Sequence, residues 1–290
     1  MQPKRNLALL SAMSLFVSLL LPASADELTD KGRDIFKKNQ SSVVTVQVVL
    51  KTKYSMGGMG AQDNESKQDL TGTVVDPSGL TVLALSSTDP GGMIQSMMSG
   101  MSEEDMKFKF DTELSEVKIL LADGTELPSE VVLRDKDLDL AFVRPKTKPA
   151  SPMAAIDLNK SAQAQVLDQV ITLNRLGQAA GRAYAVSVER IAAVVQKPRL
   201  FYIPAGGMTS TTPGSPAFAL DGNLLGVFVM RSVNTRGGGG GMSMFSFQPE
   251  GLTAIILPAG DILKAARQAP EMKAEDAKTS EKKEEAKEQK

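Results

Sequence analysis

Residues 117–145 read VKILLADGTELPSEVVLRDKDLDLAFVRP. Asp123-Gly124 divides two runs rich in β-branched and aliphatic residues, the strongest short-range signal for a hairpin. The spacing predicts strands over 116–122 and 126–133 and a further strand over 138–143. Three short strands within thirty residues argue for an all-β architecture.

The pattern repeats outward in both directions. Upstream, 43–50 and 70–75 read as strands, and 80–85 follows a turn at Asp76-Pro77-Ser78-Gly79. Proline there presets φ and glycine closes the turn. Residues 55–69 are expected as a loop and 89–116 as a long insertion. Downstream, a proline-rich connector, RPKTKPASP (144–152), separates two halves. Strands are expected at 165–173, 183–195, 199–203, 217–220, 224–231 and 242–247. Two helices close the scheme. The first spans 26–39, with Leu28, Ile35 and Phe36 as its apolar face. The second spans 258–268, with Ile262, Leu263 and Ala266 at helical spacing.

Composition removes whole classes of chemistry. The 290 residues include no histidine, cysteine or tryptophan, and the formal net charge is −1. No imidazole is present to serve a Ser-His-Asp or Cys-His relay. Thiolate nucleophiles and Cys/His zinc sites are equally excluded. No cofactor is expected. The near-neutral balance gives no reason to expect a nucleic-acid partner.

The ends carry their own signals. Lys4 and Arg5 precede an apolar run over 7–21, and Ala23-Ser24-Ala25 supplies small residues before Asp26. This is the pattern of a cleaved secretory signal over 1–25. It implies an exported protein, periplasmic or secreted, with no stable membrane insertion after cleavage. The body of the fold is expected over 26–268. Residues 269–290 are rich in Lys, Glu and Ala and poor in large apolar groups, so a disordered tail is expected.

Three segments resemble the Deg/HtrA type of trypsin-like serine protease. LTGTVVDPSGLTVLALSS (70–87) resembles the strand pair that carries the family's catalytic histidine, whose position falls on Ser86. The 117–145 segment is similar to the stretch that holds the catalytic aspartate, which falls on Asp139. TSTTPGSPAFALDGNLLGVFV (209–229), aligned on Asp221-Gly222, places the nucleophile on Pro213. No PDZ-like sequence follows 268. The resemblance implies a chymotrypsin-like double β-barrel, roughly 42–145 and 153–257, with the active-site cleft between the barrels.

On that alignment the triad positions Ser86, Asp139 and Pro213 lack both the imidazole and the nucleophilic hydroxyl. Ser215 is the alternative nucleophile. With Pro213 two residues earlier, however, either register lacks one oxyanion-hole N–H. The expectation is a pseudoprotease that binds a protein or peptide partner, with its oligomeric state left open. Fifteen methionines add a second alternative. Met93, Met97, Met98 and Met101 share the 89–116 insertion with Met106, and thioethers are soft ligands suited to Cu(I). Packing in a short helix explains the same spacing.

Overall fold

The computed structural model describes residues 26–56, 62–91, 108–206, 212–232 and 252–271. The chain enters through helix α1 (Asp26–Asn39), on which Ile35 is buried and Leu28 and Phe36 lie partly buried beside it. The Asn39 side-chain amide donates to the Ile35 carbonyl at 2.9 Å and satisfies one of the last carbonyls of the helix.

Six strands then close the first barrel: β1 (Val43–Met56), β2 (Gln62–Val74), β3 (Thr81–Ala84), β4 (Phe108–Leu120), β5 (Glu126–Asp135) and β6 (Leu140–Pro145). Their order around the barrel is β1-β2-β3-β6-β5-β4, and every pairing is antiparallel. A short helix, α2 (Leu85–Thr88), follows β3. The second barrel uses β7 (Gln169–Arg175), β8 (Tyr184–Val195), β9 (Phe201–Pro204), β10 (Pro216–Ala219), β11 (Leu224–Ser232) and β12 (Leu252–Pro258), in the order β10-β11-β12-β9-β8-β7. Helix α3 (Ala259–Ala266) ends the described fold.

Strand β6 shows why the sequence closes in this way. Successive side chains on a strand point to opposite faces. Ala141 and Val143 join Val46, Leu83 and Ile119 inside the first barrel. Leu140 and Phe142 point the other way, into a core shared with Ile171, Leu173, Val227 and Val229 of the second barrel and with Ile35 and Ile262 of the helices. Both faces of β6 are therefore covered, and its sequence runs LAFV without polar alternation. Phe142 is fully buried in that shared core. Truncating a phenylalanine so placed costs about 3–5 kcal/mol.

Several sequence expectations shift. The 55–69 loop gives way to strand: β1 runs on to Met56 and β2 begins at Gln62, paired in continuous register from Val43↔Thr73 to Tyr54↔Gln62. The 89–116 insertion likewise contains the first part of β4, from Phe108. Residues 51–53 and 62–69 are polar, so no apolar alternation marks them, whereas the start of β4 alternates through Phe108, Phe110 and Leu114, a period-2 signal that the insertion reading overlooks. The strand expected at 138–143 starts later, at Leu140, because Asp139 has φ 56 in the left-handed region, which ends extended structure. The twelfth strand is Leu252–Pro258; the 242–247 stretch lies outside the described residues. The 1–25 segment and residues 272–290 also lie outside them. Among the described residues no helix is long and apolar enough to cross a membrane.

Candidate functional site

Asp139 sits at the end of the β5–β6 turn. Asp135 shapes that turn by accepting from the amides of Asp137 and Leu138, both at 3.0 Å. Aspartate is among the few side chains that tolerate the left-handed backbone of residue 139. From there the carboxylate reaches α2 and the second barrel at once. The Ser86 amide donates to Oδ1 at 2.7 Å, the Ser86 hydroxyl donates to Oδ2 at 2.9 Å, and the Met230 amide donates to Oδ2 at 2.7 Å. The Asp139 carbonyl also accepts from the Leu85 amide at 2.9 Å.

Sequence positions 86 and 139, fifty-three apart, thus meet as a hydrogen-bonded pair. A histidine-aspartate pair performs this contact when an aspartate orients an imidazole. Here the partner of the carboxylate is a hydroxyl. Burial pushes the Asp139 carboxyl above its ordinary value, while the Met230 amide and then the Ser86 amide and hydroxyl pull it back. The pull of burial is the larger. Asp139 is also a structural tie, because Ser86 belongs to the first barrel and Met230 to the second.

The loop at positions 212–215 is a closed β-turn. The Ser215 amide donates to the Thr212 carbonyl at 3.0 Å, Pro213 occupies the second position, and Gly214 the third with φ 92. This is the type II turn that a Pro-Gly pair favours. Gly214 is wedged against the first barrel. A Cβ there would collide with the Thr71 carbonyl oxygen, and the Gly214 carbonyl accepts from the Thr73 hydroxyl at 2.8 Å. The Gly214 amide donates to the Phe228 carbonyl at 2.8 Å, and the Ser215 carbonyl accepts from the Phe228 amide at 2.9 Å.

This turn governs the two candidate nucleophile positions. Pro213 is buried and has no N–H to offer an oxyanion. Ser215 is only 1% exposed, and its amide is already bonded within the turn. Thr211, two residues before Pro213, lies outside the described residues. Ser86 and Asp139 are brought together, and no hydrogen bond among those described joins either of them to Pro213. Met93, Met97, Met98, Met101 and Met106 all lie outside the described residues.

Sequence reasoning missed the polar seam that supports this site. The Thr71 hydroxyl donates to the Arg175 carbonyl at 3.3 Å, and the Arg175 amide reaches the Thr71 hydroxyl at 3.2 Å. The Arg175 guanidinium lies 4.0 Å over the Tyr184 ring. Asp69, held by Gln47 at 3.0 Å, forms an ion pair with Arg182 at 2.7 Å. The Thr71–Arg175 and Asp69–Arg182 ties run from β2 to the second half of the chain, braced by Gln47 on β1 and Tyr184 on β8. Their sequence signal is threonine and glutamine alternating with apolar residues, as Thr45 and Gln47 do with Val44, Val46 and Val48.

Two closed six-stranded antiparallel barrels, with an aspartate pinned across the seam between them, define a chymotrypsin-like architecture. The trypsin-like peptidase domain matches residues 70–227, over half of the chain, and the chain belongs to that family. No curated protein matches it.

Proposed function

We propose that this protein is a catalytically inactive member of the trypsin-like peptidase family, of the Deg/HtrA type, exported from the cell, that binds a peptide or protein in place of cutting one. The observation that carries this reading is the Ser86–Asp139 contact at 2.9 Å. A serine stands where the mechanism needs a base, and the chain has no histidine to supply one from elsewhere.

The Thr212–Ser215 turn supports the same reading. A proline at the nucleophile position removes both the hydroxyl and one oxyanion donor. The loss of a single such donor lowers kcat by about 10²–10³-fold. Burial of Ser215 argues against the alternative nucleophile. The copper-binding alternative has no described residue in its favour.

Peptide binding has a physical basis in β11. Its Pro216-side partner, β10, pairs only with Val227, Gly226 and Leu224. Beyond Phe228, the described residues place a strand on one side only, namely β12 from Thr253 and Leu252. Among the described residues Arg231 and Ser232 have no strand on their other side, and an extended peptide can add there, beside Asp139. Export rests on the 1–25 pattern.

The test combines fluorophosphonate labelling with casein cleavage on the purified, folded protein. The expected result is neither label nor cleavage above buffer. Stoichiometric labelling that disappears in Ser215→Ala would overturn the reading and reveal a histidine-free base.

A further inference from the structure

Arg144, near the end of β6, is 8% exposed and lines an open groove of 930 Å³ between the interbarrel connector and α3. The groove contains none of Ser86, Asp139, Pro213 or Ser215. A guanidinium has five N–H donors and stays charged at any working pH. Here one of them meets an acceptor, the Ser78 hydroxyl, at 2.6 Å from Nη1. Nε is shut from solvent with no partner. No carboxylate among the described residues comes within ion-pair range of Arg144.

Buried arginines are ordinarily paired, because an uncompensated charge in a low-dielectric setting is costly. Glu130, the cross-strand neighbour of Arg144, and Glu271 at the groove form no described ion pair with it, and two further acids bond elsewhere. Asp76 accepts from the Ser78 amide at 2.8 Å, and Asp157 takes the amide and side chain of Asn159 and lies 3.7 Å from Lys160. The lining beside Arg144 is apolar: Leu80, Ile156 and Leu158 are buried, and Leu263 and Ala266 stand half-exposed on α3. Lys148 and Arg267 add positive charge at the rim, and Asp76, Asp157 and Glu271 add negative charge.

We propose that this groove is a second peptide-binding site. Arg144 takes the carboxylate of an acidic residue, and the Leu80–Ile156–Leu158 surface takes the aliphatic side chains on either side of it. The terminal nitrogens of Arg144, which meet only the Ser78 hydroxyl, call for an anion. The apolar lining calls for a body attached to that anion. The mixed-charge rim suits the alternating donors and acceptors of a peptide better than the bare tail of a fatty acid. This site is independent of peptide addition at β11.

The test is fluorescence anisotropy with a fluorescein-labelled peptide that carries one aspartate between pairs of leucines, and with its asparagine twin. The aspartate peptide is expected to bind saturably and at least about tenfold tighter than the asparagine peptide. Arg144→Met is expected to erase that difference. Ala266→Trp, which fills the groove from the surface of α3, is expected to abolish binding of both, and it keeps the test decisive if the arginine variant does not fold. Equal binding of the two peptides, or an unchanged affinity in Arg144→Met or Ala266→Trp, would overturn the proposal. So would failure of the aspartate peptide to bind, including the case in which decanoate alone occupies the groove.

Discussion

Strand β6 has a charged group at each end, and the fold treats the two in opposite ways. Asp139, just before the strand, meets three donors from two different elements. Arg144, near its far end, meets one acceptor for five donors. Both lie against the core that joins the barrels. The difference teaches that burial of a charge has no fixed meaning. A charge whose bonds are all made within the chain is a fastener, and removing it harms the fold. A charge left short of partners contributes little to folding and is placed for something outside the chain.

The sharpest way to break this comparison is Asp139→Ala. The Ser86 and Met230 amides would lose their acceptor, and alanine would occupy a left-handed backbone at φ 56. Urea unfolding is expected to report a loss of about 3 kcal/mol. A loss below about 1 kcal/mol would show that the tie across the seam does not hold the barrels.

A pH series sharpens the same point. The folded-state pKa of Asp139 is raised, so folding favours its protonated form. Its contribution is fully present below the unfolded value near 3.8 and is lost as pH rises through the raised folded value. Asp139→Asn removes that titration. The difference in Tm between variant and parent should therefore move in favour of the variant as pH climbs from about 4 across that window. A difference that stays flat, or moves the other way, would mean that the three donors outweigh burial.

Ser86→Ala should matter less. It removes the hydroxyl bond to Oδ2 but leaves the Ser86 amide on Oδ1 and the Met230 amide on Oδ2. A destabilisation of about 1 kcal/mol is expected from the same unfolding measurement. Arg144→Met should have the smallest effect. It exchanges an under-bonded cation for an apolar chain of similar length, so stability should stay within about 1 kcal/mol of the parent or rise. A large loss there would make Arg144 a fastener after all and dissolve the contrast.

How far the sequence revealed this depends on which kind of signal each feature leaves. The Asp123-Gly124 turn and the unbroken LAFV run mark strands through local chemistry, and β5 and β6 fall close to where that chemistry puts them, while β4 reaches the turn as expected but begins eight residues earlier, at Phe108. The meeting of Ser86 with Asp139 was legible only through resemblance, because no local pattern links positions fifty-three residues apart. The Leu252–Pro258 strand escaped detection because a short apolar run next to a helix has no period that separates strand from buried helix. The polar stretches 51–53 and 62–69 escaped it because they carry no apolar alternation. The burial of Ser215 follows from the way Gly214 seats on Thr71, a contact between barrels that no linear reading contains. Arg144 read as the start of a connector, since the covering of β6 on both faces is a tertiary fact.

The Asp139 bridge also gives the protein a resident spectroscopic probe. A chain without histidine has no imidazole titrating between its carboxylates and its lysines. Asp123 and Asp157 are held below the ordinary carboxylate value, while Asp139 is moved upward, toward that quiet interval. Its side-chain carbon resonance, followed by carbon NMR as pH is raised, therefore reports on the contact between one barrel and the other. Anything that loosens the seam near Met230, whether a bound peptide on β11 or a distant substitution, would be read as a drift of that one signal back toward an exposed carboxylate.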